Sequence, residues 1–330
     1  MYGKILIMAV PNVAKCPPNY DPYRPVDSTL HRQIARDELR EETAIAEQAL
    51  QQIRDWIAKN PAILSCRTDY PFLLRFLRVR KFAHLAACET LERYLAMRQR
   101  FPAWFATLDT AEPWVDELID SEFILPLGRD AKGRQVLLVR FGRVDIDRFS
   151  VSQQIRFITM IQECLFEDER DQISGTVTIS DHSHVPMRAF ALWSFTDIKN
   201  YVDCINKSIP LRVREVHVMN LPLFAASFGE WIMSCCSEKL RSRLKCYSSV
   251  DAFLSTTDLR PLLPKEYGGE QNASDLKRQL RQTLSRHKDV LLGLDGMKVD
   301  EKRCASIWNP NECTELDSGA IGSFRKLDVD

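Results

Sequence analysis

The feature that most constrains the fold is an alternation of short apolar segments with longer amphipathic ones between residues 120 and 255. Segments rich in Val, Ile and Leu predict strands at 123–125, 135–141, 175–180, 211–219 and 245–249. Apolar residues at three- and four-residue spacing predict helices at 152–169, 223–236, 237–245 and 251–255, with one more ending near Ser208. Because parallel strands are joined by crossovers that usually contain a helix, this alternation predicts an α/β domain with a largely parallel sheet.

The segment before this domain has helical periodicity alone. A first helix is predicted over 34–58, with apolar residues at Ile45, Leu50, Ile53, Trp56 and Ile57. Asp69, followed by Pro71, is typical of the N-terminus of a second helix. A third helix has apolar residues at Leu85, Cys88, Leu91 and Leu95. Residues 31–105 are therefore predicted to form an N-terminal helical bundle.

The two ends of the chain have weaker patterns. Residues 1–30 contain five prolines and no apolar periodicity, which predicts a flexible arm. An amphipathic helix is predicted over 273–291, and the residues after it are predicted to form a flexible tail. The predicted organisation is thus an arm at 1–30, a helical domain at 31–105, an α/β domain at 106–272, and a C-terminal helix with a tail at 273–330.

The overall charge excludes some general modes of binding. The chain has 45 Lys and Arg residues and 45 Asp and Glu residues, so its formal net charge is zero. A neutral chain has no general attraction to nucleic acid, and a basic binding site must be a local cluster. No apolar run reaches the length of a membrane span. The ten cysteines are scattered, which predicts reduced thiols and a cytoplasmic location.

Local motifs for common chemistry are absent from the sequence. The twelve glycines form no G-x-G-x-x-G or G-x-x-x-x-G-K pattern, and neither G-x-S-x-G nor H-E-x-x-H occurs. We therefore expect no cofactor and no enzymatic activity, although an enzyme without a local motif stays a third possibility. Asp181, His182 and His184 follow a predicted strand, and a polar loop is the better interpretation than a metal site.

Three segments, in order and at fitting distances, carry a family resemblance. They are FLLRFLRVRKF at 72–82, PLRVREVHVMNLP at 210–222 and LLPKEYGGE at 262–270. Together they resemble the CRAL-TRIO lipid-binding family over residues 35–290, and most closely its tocopherol-carrying members. The resemblance implies a cage whose floor is the sheet and whose movable lid is an amphipathic helix. It also implies a hydrophobic ligand, similar to a tocopherol, a retinoid or a phospholipid.

The resemblance assigns residues to the cage. The expected cavity wall contains Ile155, Ile158, Gln162, Thr176, Ile179, Cys204, Ile205 and Val216. The expected lid, at 221–236, contributes Leu221, Leu223, Phe224, Phe228, Trp231 and Ile232. Ile158 and Gln162 stand where tocopherol-carrying members have small serines, and the loop at Asp181 lacks the usual Asp-x-x-Gly. Both differences lie near the expected cavity, so the resemblance predicts a lipid carrier without specifying tocopherol.

A set of basic residues matches the positions with which family members bind phosphoinositide head groups. These residues are Arg80, Arg212, Arg214, Lys239 and Arg243. Clustered cations suit phosphates because each phosphate offers several acceptor oxygens to charge-assisted hydrogen bonds. Arg75 and Arg78 are instead expected to stabilise the fold by pairing with acidic residues.

Two functions are most compatible with the sequence. The first is a monomeric lipid carrier that docks on phosphoinositide-containing membranes. The alternative is a membrane-recruitment module that binds phosphoinositides without transporting a lipid, and a filled cavity would favour it.

Overall fold

The computed structural model describes residues 10–308 and begins with a helical region. Its helices are α1 (Thr29–Ile34), α2 (Thr43–Lys59), α3 (Tyr70–Val79), α4 (His84–Arg100), α5 (Pro102–Phe105) and α6 (Pro113–Asp120). A π-helical turn at Ala35–Leu39 continues α1, and a short strand, β1 (Ile63–Ser65), precedes α3. The predicted N-terminal helical region is confirmed. The Asp69 carboxylate accepts a hydrogen bond from the backbone N–H of Phe72 at 3.2 Å, which caps α3 as expected.

A five-stranded sheet forms the centre of the second region. Its strands are β2 (Ile124–Arg129), β3 (Gln135–Arg140), β4 (Thr176–Asp181), β5 (Val213–Met219) and β6 (Leu244–Tyr247). The strands lie in sequence order; β2 and β3 form an antiparallel hairpin, and β3 to β6 are parallel. Gly133 has a φ of 73° in the hairpin turn, a conformation that favours glycine. The predicted α/β fold with a mostly parallel sheet is confirmed.

Helices cover both faces of the sheet. They are α7 (Val151–Phe166), α8 (Glu169–Ser174), α9 (Met187–Leu192), α10 (Phe195–Lys207), α11 (Ala226–Cys235), α12 (Glu238–Arg241), α13 (Val250–Leu254) and α14 (Ala273–Gly293). One face packs into a closed core in which Val177 and Ile179 of β4 meet Phe253 and Leu263. The other face is turned toward α7, α10 and α11, where the packing is incomplete. Within residues 10–308, no helix is both long enough and apolar enough to cross a membrane.

Two predicted helices are each divided in the structure. The helix predicted over 34–58 is interrupted because Arg40 adopts the left-handed conformation, with a φ of 60°, before α2 begins. The long helix predicted to end near Ser208 is two helices. The Ser194 hydroxyl accepts a hydrogen bond from the Asp197 N–H at 3.0 Å and thereby starts α10 anew. The apolar periodicity continues across both breaks, so the sequence pattern does not predict them.

The two ends of the described chain differ from the predicted flexible arm and tail. In the arm, the Lys15 ammonium donates to the backbone oxygens of Asn60 and Ile63 at 3.1 and 2.9 Å. After α14, a strand β7 (Lys298–Val299) pairs with β1, and α15 (Glu301–Trp308) packs on α4. The arm from residue 10 and the tail as far as residue 308 are therefore part of the folded body. Residues 1–9 and 309–330 lie outside the described residues.

Arg75 and Arg78 join the helical region to the sheet region. Arg75 pairs with Glu163 and Glu167 at 3.0 and 2.7 Å. Arg78 pairs with Glu41 and Glu169 at 2.6 and 2.8 Å, and both guanidinium groups are buried. The expected pairing of these two arginines with acidic residues is confirmed. Burial would raise the pKa of Glu167, but Arg67 and Arg75 lower it to about 2, so this carboxylate stays ionised inside the network.

Candidate functional site

A cavity of about 400 Å³ lies between the sheet and the helices α7, α9, α10 and α11. Its wall is mostly apolar because each element turns one stripe of side chains inward. On α7 the stripe is Gln154, Ile158, Ile161 and Gln162, and on α10 it is Ile198, Tyr201, Val202 and Ile205. From the sheet, Thr178, Ser180, Val213, Val216 and Val218 face the cavity. The volume lies within the range of small-molecule sites, roughly 300–1,000 Å³.

Four of the eight predicted wall residues line this cavity: Ile158, Gln162, Ile205 and Val216. Ile179 instead faces the closed core, because side chains alternate along β4 and its neighbours Thr178 and Ser180 take the cavity side.

The other three predicted wall residues are also placed elsewhere. Ile155 and Cys204 lie beside the inward stripes of α7 and α10 and are fully buried in the main core. Thr176 is buried at the start of β4, outside the cavity wall.

The predicted lid is a 3₁₀ turn (Leu223–Ala225) followed by α11, and its apolar residues divide into two groups. Phe228 and Ile232 line the cavity, and Leu221 packs against α11 at Gly229. Leu223 and Phe224 point away from the cavity and are 94% and 49% exposed. The lid therefore closes the cavity with one face and presents apolar side chains outward at its first turn.

The outward residues belong to a larger apolar surface that α9 and α10 complete. We call Met187, Phe195, Leu223 and Phe224 the apolar rim; all four are exposed. The rim is held together by aromatic rings, since Phe190 lies 5.6 Å from Phe224 and Trp231 lies 4.7 Å from Phe195, measured between ring centroids. Exposed apolar groups that cluster in this way typically mark an interaction surface.

Two polar side chains on the cavity wall have unused hydrogen-bonding groups. Among the residues that the structure describes, neither the Tyr201 hydroxyl nor the Gln162 amide makes a hydrogen bond. The Tyr201 ring lies 6.2 Å from Trp104 and 6.4 Å from Trp193, and burial raises the pKa of its hydroxyl, which stays protonated. Both side chains are half-buried and face the cavity, so their polar groups are free to bond a ligand that carries a matching donor or acceptor.

A third polar group on the wall is already paired. The Ser180 hydroxyl and the His182 Nε2 atom are 2.9 Å apart, and the His182 ring stacks on Phe141. Burial lowers the pKa of His182 to about 4, so its imidazole is neutral at physiological pH. This end of the cavity therefore presents a neutral surface.

The loop that begins at Asp181, at the end of β4, has a structural role. The Asp181 carboxylate accepts hydrogen bonds from the Ser183 N–H at 2.9 Å, the Asn220 amide at 2.9 Å and the Tyr267 hydroxyl at 2.5 Å. Burial would raise the pKa of Asp181, but these bonds lower it. Asn220 has a φ of 54° and stands directly before the lid, so the loop fixes the point at which the lid begins.

The predicted basic residues come together where α3 ends, where β5 begins, and on and just after α12. Arg212 and Arg214 both bind the Glu38 carboxylate, at 2.8 and 2.7 Å. Arg243 donates to the backbone oxygen of Val213, and Arg80 donates to the Thr90 hydroxyl at 2.6 Å. We call Arg80, Lys81, Arg212, Arg214, Lys239 and Arg243 the basic cluster.

The pKa of Lys239 reflects the short distances between these positive charges. This pKa is lowered by burial and then by the positive charges of Arg243, Arg80, Lys81 and Arg212. In the described part of the chain, the Lys239 ammonium has no ion pair. Glu38 neutralises only part of this cluster, and clustered cations suit anions that offer several acceptor oxygens.

Sequence reasoning missed three residues of these sites. Tyr201 falls on the inward stripe of α10, three and four residues from Ile198 and Ile205, and that spacing identifies it in hindsight. Lys81 directly follows Arg80 and could have been included with it. Glu38 carries no such signal, because it is 176 residues from Arg214 in sequence and only the tertiary fold brings the two together.

The comparisons with known proteins agree with this architecture. The CRAL/TRIO domain matches residues 120–269, and the Pinta-like UBA domain matches residues 42–115. The alpha-tocopherol transfer protein-like protein of Homo sapiens is 30% identical over 242 residues, covering 73% of this chain and 70% of that protein. Clavesin-1 of Pongo abelii is 32% identical over 236 residues, covering 71% of this chain and 67% of that protein. Clavesin-2 of Rattus norvegicus is 28% identical over 256 residues, covering 77% of this chain and 78% of that protein.

The similarity to a solved structure is lower than the similarity to these relatives. The crystal structure of Sfh5 matches with a TM-score of 0.45 and 14% sequence identity, over 77% of this chain and 92% of that chain. The sheet, its flanking helices and the helical N-terminal region define the class as an α/β cage protein. By sequence, this chain belongs to the CRAL/TRIO family.

Proposed function

We propose that this chain is a carrier that encloses one lipid-like molecule in its cavity and docks on membranes that contain phosphoinositides. The observation that carries the proposal is the apolar cavity of about 400 Å³ beneath α11. Burying apolar surface stabilises a complex by roughly 25 cal/mol per Å² before ordering costs. Tight binding of a lipid in such a cavity requires no catalytic group.

The cavity wall also describes the ligand. Most of the wall is apolar, and Tyr201 and Gln162 offer a donor and an amide at two positions on it. A suitable ligand therefore has a long apolar body and at least one hydrogen-bonding group. Tocopherol-, retinoid- and phospholipid-like molecules share this description. The name of the relative from Homo sapiens, alpha-tocopherol transfer protein-like, supports a ligand of this class.

The apolar rim and α11 suggest how the ligand enters. Leu223 and Phe224 would insert into the acyl boundary of a membrane, where exposed apolar groups are stabilised. Because Phe228 and Ile232 of α11, which directly follows the 3₁₀ turn, line the cavity, movement of α11 toward the membrane would open the cavity to the lipid phase. We infer that α11 is the movable lid.

The basic cluster supports docking and its coupling to the lid. Arg214 precedes the lid in the chain, whereas Lys239 and Arg243 directly follow it on and after α12. A phosphoinositide head group that contacts both sides would bind the open and closed arrangements with different affinity. A ligand shifts a conformational equilibrium only through such a difference.

Liposome co-sedimentation tests the docking step. We expect the Lys239→Ala/Arg243→Ala variant to bind phosphatidylinositol bisphosphate vesicles at least tenfold more weakly, since each cation near the surface contributes about 1 kcal/mol. The loss should shrink at high salt, which screens exposed charges. The control Lys298→Ala/Lys302→Ala removes the same charge from exposed positions on β7 and α15. Equal binding by the parent and both variants would eliminate the phosphoinositide partner and leave the cavity.

The basic cluster also favours a second candidate function. A module that recruits other proteins to phosphoinositide membranes would need the basic cluster and no ligand in the cavity. Purified protein that binds these vesicles but extracts no lipid from them would favour this second function.

A further inference from the structure

One carboxylate, that of Glu38, lies against the basic cluster. Glu38 lies on the π-helical turn that follows α1, and its two oxygens accept three hydrogen bonds from Arg212 and Arg214, at 2.7 to 2.8 Å. Hydrogen bonding from Arg214 lowers the pKa of Glu38, so the carboxylate is ionised at neutral pH. An internal anion thus already occupies part of a site whose remaining cations have no carboxylate partner in residues 10–308.

The segment that carries Glu38 is firmly attached. Ala35 and Leu39 are buried against Ile173 of α8, and His31 lies 3.4 Å from the backbone oxygen of Gly133. The Glu38 side chain itself is 37% exposed, whereas that of Arg212 is only 10% exposed. The Arg214 side chain is 25% exposed, so Glu38 is the more exposed partner in both pairs.

We propose that Glu38 is a built-in competitor that occupies the Arg212–Arg214 subsite, so an external anion reaches these arginines only by displacing it. This inference rests on the proposed phosphoinositide function and adds a specificity-determining residue to that site. A phosphomonoester carries a charge of about −1.5 to −2 at neutral pH and three acceptor oxygens. Glu38 offers a single charge and two oxygens, so a phosphomonoester displaces it.

Singly charged groups behave differently. The carboxylate and the phosphodiester of phosphatidylserine each match Glu38 in charge, so they gain little by replacing it. Ordinary anionic membranes therefore contact the outer cations, such as Lys239, without reaching Arg214. Glu38 sets a threshold that phosphomonoester-bearing lipids pass and ordinary anionic lipids do not.

The experiment compares vesicles of phosphatidylserine with vesicles of phosphatidylinositol bisphosphate at equal surface charge. For the parent, Arg214→Ala should weaken binding to phosphatidylinositol bisphosphate about fivefold and leave binding to phosphatidylserine unchanged. Glu38→Gln keeps the side-chain shape and removes the charge. It should strengthen binding to both vesicles by about fivefold, the effect expected for one charge near the surface.

The decisive measurement is the Glu38→Gln/Arg214→Ala double variant on phosphatidylserine vesicles. If Glu38 is the competitor, the gain from Glu38→Gln disappears in the double variant, because the newly reached contact is Arg214. Weaker or unchanged binding by Glu38→Gln would overturn the inference and show that Glu38 only orders the arginines. A parent that prefers neither vesicle would instead overturn the proposed function, so the two failures are distinguishable.

Discussion

At the scale of single residues, polar atoms decide what an apolar cavity accepts. Tyr201 places a hydroxyl on the wall, and no described residue is its hydrogen-bond partner. In contrast, the Tyr267 hydroxyl donates to Asp181 and the Tyr247 hydroxyl lies 3.1 Å from His217 Nδ1. Buried tyrosine hydroxyls are usually paired in this way. Tyr201 is half-buried and faces the cavity, so its hydroxyl is the group that we propose to bind the polar end of the ligand.

Replacing Tyr201 with Phe tests this assignment. A net hydrogen bond contributes about 1 kcal/mol, so Tyr201→Phe should weaken binding of hexadecanol about fivefold and leave binding of hexadecane unchanged. Competition against bound retinol, followed by retinol fluorescence, measures both affinities. Tyr247→Phe is the matched control, since it removes a hydroxyl outside the cavity wall. A similar loss for both ligands would mean that Tyr201 acts through packing and not through its hydroxyl.

The cavity wall shows which residue assignments the sequence supports. Ile158, Gln162, Ile205 and Val216 could be placed from the family resemblance alone. Ile155, Ile179 and Cys204 could not, because helix rotation and strand register decide which neighbour faces inward, and a shift of one residue reverses the answer on a strand. Glu38 was beyond reach for a different reason, since its contact with Arg214 depends on the packing of α1 against the sheet region.

At the scale of elements, the predicted lid, which is the 3₁₀ turn Leu223–Ala225 and α11, has an inward face and an outward turn. The sequence predicted one broad apolar face, but the structure separates the cavity-lining Phe228 from the exposed Leu223. Helical periodicity shows which apolar residues share one face of a helix. It does not show whether that face contacts protein or solvent. The exposed first turn is therefore the better place to test membrane insertion without damaging the cavity.

Leu223→Asp should slow lipid exchange between vesicles and weaken vesicle binding, because a carboxylate is costly in the apolar part of the membrane interface. We expect a reduction of at least tenfold in the exchange rate. Leu64→Asp is the matched control, since Leu64 is also exposed but lies on β1 in the helical region. Exchange rates that are the same for Leu223→Asp and Leu64→Asp would show that the turn before α11 does not enter the membrane.

At the scale of the whole molecule, the helical region packs against the sheet region, and among residues 10–308 the elements of the sheet region alone line the cavity. Arg75 and Arg78 of α3 pair with carboxylates of α7 and α8, and α7 is also a wall of the cavity. The α/β alternation and the helical bundle were predictable because hydrophobic periodicity records local structure. The ordered arm and the contacts of α15 were not, since residues 10–28 and 294–308 have little periodicity and are fixed by tertiary contacts.

The central claim is that the cavity holds one lipid-like molecule, and native mass spectrometry of the purified chain tests it most directly. After incubation with lipid vesicles, the parent should carry one lipid-sized adduct per chain. Ile158→Trp should carry none, because overpacking fills the cavity, whereas Ile158→Val should retain the adduct. Circular dichroism would establish that each variant is folded. A parent that takes up no lipid, or a folded Ile158→Trp variant that takes up as much lipid as the parent, would contradict the claim.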